Sequence, residues 1–65
     1  MTKTELINKY ISIWNESKEE CQKARRLKRQ ATDDAQRDIH ELDQDYYAIQ
    51  NRLVGQFLMD LEELN

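Results

Sequence analysis

The sequence predicts an all-α fold: a two-helix antiparallel hairpin that assembles into a homodimeric four-helix bundle. Three observations lead there. Apolar side chains at Ala35, Ile39, Leu42, Tyr46, Ile49, Leu53, Phe57, Leu61 and Leu64 recur at intervals of three and four. That is the spacing of one helical face, sustained well beyond the length of a strand. The chain has no Pro and is dominated by Glu, Asp, Lys, Arg and Gln, which favours helix throughout. Finally, 65 residues with a single Cys are too few to build a secure core alone and cannot form an internal disulfide, so association supplies what is missing.

Helix 1 is expected over about residues 3–30. Thr2-Lys3-Thr4-Glu5 has the spacing of a capping box, in which the Thr2 hydroxyl accepts from the Glu5 backbone N–H. Its apolar residues are Leu6, Ile7, Tyr10, Ile11, Ile13 and Trp14, followed by a thinner line of Cys21, Ala24 and Leu27. The turn is expected at about 30–32. Positive charge gathers just before it, in Lys23 to Arg29, and negative charge just after it, in Asp33 and Asp34. Each sign complements the dipole of a helix that ends or begins there. Thr32 or Asp33 can cap helix 2, expected over about residues 33–64. No Gly or Pro marks the turn, so one unbroken helix of about 60 residues, paired between two chains, satisfies the same pattern.

Folding the chain at this turn pairs a helix 1 seam of Ile7, Tyr10, Trp14, Ser17, Cys21, Ala24 and Lys28 with Gln56, Leu53, Ile49, Tyr46, Leu42, Ile39 and Ala35. Small side chains then meet large ones, as facing layers do when they interdigitate. The ends of the two helices remain apolar nearly all round. Ile7, Ile11, Trp14, Val54, Phe57, Leu58 and Leu61 are therefore the expected self-association or partner surface.

Several kinds of chemistry are poorly served. One His and one Cys cannot make a zinc site within a chain, and Gln44 stands where a second His would complete a zinc-protease pattern begun by His40-Glu41. His40 falls one step off the expected seam and reads as an exposed helical His; Cys21 falls on the seam and reads as a buried structural thiol. The carboxylates Asp33, Asp34, Asp38, Glu41, Asp43 and Asp45 read as a solvated face, because no dry pocket is expected to separate their pKa values. No catalytic residue, cofactor or metal is expected. Net charge of −3 with both signs interspersed, and no apolar run long enough for a signal peptide or membrane span, lead us to expect a cytoplasmic protein that does not engage membranes.

The expected function is non-enzymatic: a small interaction or regulatory protein that self-associates and binds a larger protein. The alternative is an RNA-binding hairpin dimer using Lys23, Arg25, Arg26, Lys28 and Arg29, five cations in seven residues. Against it, no aromatic side chain is interleaved for base stacking, and acidic residues follow at once.

Overall fold

The computed structural model describes residues 2–63. Over them the chain forms two helices, α1 (Lys3–Gln30) and α2 (Asp34–Glu63), packed against each other along their length. The chain reverses at 31–33, so the two helices are antiparallel and the unbroken rod is not what this chain adopts. Leu64, expected to close helix 2 and its stripe, lies outside the described residues.

Local chemistry accounts for the ends. Thr2 is the N-cap of α1, extended at φ −76° and ψ 161°, and its hydroxyl accepts from the Glu5 N–H at 3.1 Å. Such a cap is worth about 1 kcal/mol. At the other end Ala31 is extended at φ −68° and ψ 130°, with its N–H donating to the Lys28 carbonyl. Extension at Ala31 is what stops α1, without help from Gly or Pro. Asp33 then opens α2: its carboxylate accepts from the Ala35 N–H at 2.8 Å and its carbonyl from the Arg37 N–H at 3.0 Å.

The helix 1 seam lies where its spacing puts it. Ser17 and Ala24 are buried, and Ile7, Tyr10, Trp14, Cys21 and Lys28 are half-buried. The helix 2 seam does not. Trp14 meets Gly55, Ser17 meets Asn51 and Cys21 meets Gln44, while the expected Ile49, Tyr46 and Leu42 are each more than half exposed. The residues of α2 turned toward α1 are His40, Gln44, Tyr47, Ala48, Asn51, Gly55, Leu58 and Leu61, all buried or half-buried.

Two features hold this rotation. The Asn51 amide donates to the Trp14 carbonyl at 2.8 Å and to the Ser17 hydroxyl at 3.2 Å, while Ser17 itself donates to the Trp14 carbonyl at 2.9 Å. Ser17 is only 1% exposed, so the group that satisfies its oxygen fixes which side of α2 can face it. Gly55 lets α2 close on the Trp14 indole: a Cβ there would lie 3.1 Å from Nε1. A polar trio and a small-residue notch thus prevail over the more apolar face, in the way a single buried amide can set helix register. At the open end Tyr10 and Phe57 meet edge to face, centroids 4.7 Å apart. Toward the turn Lys28 pairs with Glu41 at 3.4 Å; partly solvated, this contributes little.

Candidate functional site

Turning the small, polar side of α2 inward turns its stripe outward. Four of the eight seam residues of α2 follow a stripe residue by two positions: Leu42 then Gln44, Tyr46 then Ala48, Ile49 then Asn51, Leu53 then Gly55. Two residues rotate a helix by about 200°, so the stripe lies on nearly the opposite side of α2 from α1. Leu42 is 70% exposed, Leu53 65%, Tyr46 60%, Ile49 55% and Ile39 51%. Ala35 is exposed in line with them. Tyr46, Ile49, Gln50, Leu53 and Val54 line a shallow, mainly apolar depression on this face. From Ala35 to Leu53 the stripe runs about 27 Å at 1.5 Å per residue. Monomeric soluble proteins rarely leave an apolar band of this length exposed.

The residues expected at the apolar ends are divided by the fold. Leu61 is buried, and Ile7, Trp14, Val54 and Leu58 are half-buried, so the hairpin itself uses much of them. Ile11 and Phe57 remain about 40% exposed, with Met59 close by in sequence at 58%. Ile39, Leu42, Tyr46, Ile49 and Leu53, which the pairing scheme placed between the helices, are the exposed surface. The one trace of this face in the sequence is the row of Ala48, Asn51 and Gly55, whose modest size admits close approach of α1.

The five cations expected to act together near the turn are divided by the fold. Arg25, Lys28 and Arg29 line a depression with Arg37 and Gln44, beside a second one lined by Lys18, Arg25 and Arg52. Lys23 lies instead in a depression with Glu20, His40 and Asp43. Arg26 is exposed. Lys28 and Arg37 already have carboxylate partners, Glu41 and Asp34, each at 3.4 Å.

His40 is half-buried and not an exposed helical His, because the face of α2 that bears it is the one turned to α1; its Nδ1 is buried without a hydrogen-bond partner. Cys21 is also only half-buried, its thiol donating to the Gln44 carbonyl at 3.6 Å. Among the described residues no three His, Cys, Asp or Glu side chains are grouped to hold a metal ion, and no helix is long and apolar enough to cross a membrane. No protein-family model, curated protein or solved structure matches the chain.

Proposed function

We propose that this chain is a small, non-enzymatic interaction or regulatory protein, which self-associates as a homodimer of four helices and binds a larger protein. The observation that carries the reading is the stripe of Ile39, Leu42, Tyr46, Ile49 and Leu53, each more than half exposed along one side of a helix. A two-helix hairpin this small is marginal by itself, and covering that stripe supplies the missing burial. Ile11, Phe57 and Met59, at the open end of the hairpin, are then left as apolar contacts for the larger protein.

Affinity capture from the native host tests this, run beside a mass measurement on each form. The Ile11→Asp/Met59→Asp double variant should keep the dimer mass and lose the captured protein. A wild-type chain that captures no protein, or a double variant that captures as well as the wild type, would count against the assignment of the open end.

A second reading rests on one observation: Lys18, Arg25, Lys28, Arg29, Arg37 and Arg52 line adjoining depressions, a charge distribution suited to a phosphate backbone. Titration with RNA in rising salt separates the two. Binding that weakens steeply with salt and is abolished by Arg25→Glu/Arg29→Glu favours the nucleic-acid reading; no binding at low salt removes it.

A further inference from the structure

We infer that the occupant of the α2 stripe is the α2 stripe of a second copy, running antiparallel, so that the four helices form a row with α1 at each outside edge instead of a closed bundle. This rests on the self-association proposed above and specifies its geometry.

The stripe has the spacing of a coiled-coil seam: Ile39, Tyr46 and Leu53 fall seven apart, as do Ala35, Leu42 and Ile49. Aligned antiparallel on itself, the helix places Ala35 against Leu53, Ile39 against Ile49 and Leu42 against Tyr46. Each pairing occurs twice about the two-fold axis. All six layers are apolar, and the smallest residue meets a large one.

Charge selects this direction over the parallel one. In a parallel pair Asp38 flanks Asp43 of the second copy, twice, and the two acidic first halves of α2 lie together. In the antiparallel pair Arg52, the one cation of α2 beyond Arg37, flanks Asp38 of the second copy, again twice. Asp43 and Asp45 meet their own counterparts near the axis in this arrangement. The parallel pair therefore has repulsion alone, whereas the antiparallel pair sets two attractions against its repulsions and also opposes the helix dipoles.

The area fits as well. The chain exposes 5191 Å², while a compact monomer of 7.9 kDa exposes about 4,400 Å². The excess of about 800 Å², exposed by the elongated 50 × 14 × 14 Å hairpin, is comparable to one partner's share of a standard interface.

The row follows from the angle between the faces of α2. A closed four-helix bundle needs each helix to contact its two neighbours at roughly a right angle, but the stripe and the α1 seam of α2 are about 200° apart. The other side of α1 is consistent with an outside position: Asn8, Ser12, Asn15, Glu19, Gln22, Arg26 and Gln30 are all polar and all exposed.

Two measurements test this. The Ala35→Cys/Leu53→Cys variant in a Cys21→Ala background is oxidised and its disulfides mapped by peptide mass. The two thiols of one chain are about 27 Å apart along the helix, so every disulfide formed within the dimer joins two chains. Links between position 35 and position 53 are expected; links of 35 to 35 and 53 to 53 overturn the direction. Spin labels at Gln22→Cys, also in Cys21→Ala, leave the stripe intact. They should report α1 axes three helix spacings apart, about 24–30 Å, where a closed bundle gives about 8–14 Å. A short distance overturns the row. A chain monomeric at every concentration, whose capture of a larger protein is lost on Leu42→Asp, overturns the second copy while leaving the interaction reading in place. A monomer whose capture is indifferent to Leu42→Asp removes both.

Discussion

The two helices carry opposite kinds of surface on the sides turned away from each other. The far side of α1 is Asn8, Ser12, Asn15, Glu19, Gln22, Arg26 and Gln30; the far side of α2 is Ile39, Leu42, Tyr46, Ile49 and Leu53. Both belong to helices of about thirty residues, and both lie opposite the same seam. Only the first is finished as a protein surface. The difference teaches that the hairpin is held by its polar and small-residue contacts, with its bulkiest apolar row left on the outside. Had stability of the single hairpin been the sole requirement, the apolar row of α2 would be expected against α1.

The strongest way to break the contrast is to spoil the apolar side. Leu42→Asp/Ile49→Asp removes two side chains per chain, each worth about 1.5–3 kcal/mol when buried, and should raise the dimer dissociation constant by at least ~1000-fold by sedimentation equilibrium. The matched change on the polar side, Ser12→Asp/Asn15→Asp, should leave it within about twofold, since exposed polar exchanges alter stability little. Filling the notch comes next: Gly55→Leu forces a side chain into the Trp14 indole and should cost about 2 kcal/mol, read as a lowered thermal midpoint at fixed concentration. Asn51→Ala removes the amide that spans Trp14 and Ser17. It should cost about 1 kcal/mol in urea unfolding, and Asn51→Asp, which cannot donate to the Trp14 carbonyl, should not restore it. Asp33→Ala should have a similar or smaller effect, about 0.5–1 kcal/mol, through the lost cap of α2. Smallest is Lys28→Ala, whose partly solvated pair with Glu41 should be worth under about 0.5 kcal/mol.

The hairpin itself was legible. Thr2 and Asp33 cap the helices as their positions require, the reversal falls beside the change of charge sign, and the seam of α1 follows its apolar spacing down to Ser17 and Ala24. The rotation of α2 was not. Periodicity identifies a face able to pack, and α2 has two: a row of large side chains, and a row of Ala48, Asn51 and Gly55 that admits close approach. Choosing between them turns on a hydrogen bond between side chains 34 residues apart, Asn51 to Ser17, and on one notch filled by Trp14. Neither leaves a mark on hydrophobic spacing. The stripe was misplaced for the same reason: assigned to the inside, it is exposed, while Leu61, expected on the self-association or partner surface, is buried.

The most direct measurement is the mass of the purified wild-type chain by sedimentation equilibrium across a dilution series, with helicity and thermal unfolding followed on the same samples. A species of twice 7.9 kDa that dissociates on dilution, with a melting temperature that falls as it does so, is the expected result. A well-ordered 7.9 kDa species whose cooperative melting is the same at every concentration would contradict the account, since the row from Ile39 to Leu53 would then face water without consequence.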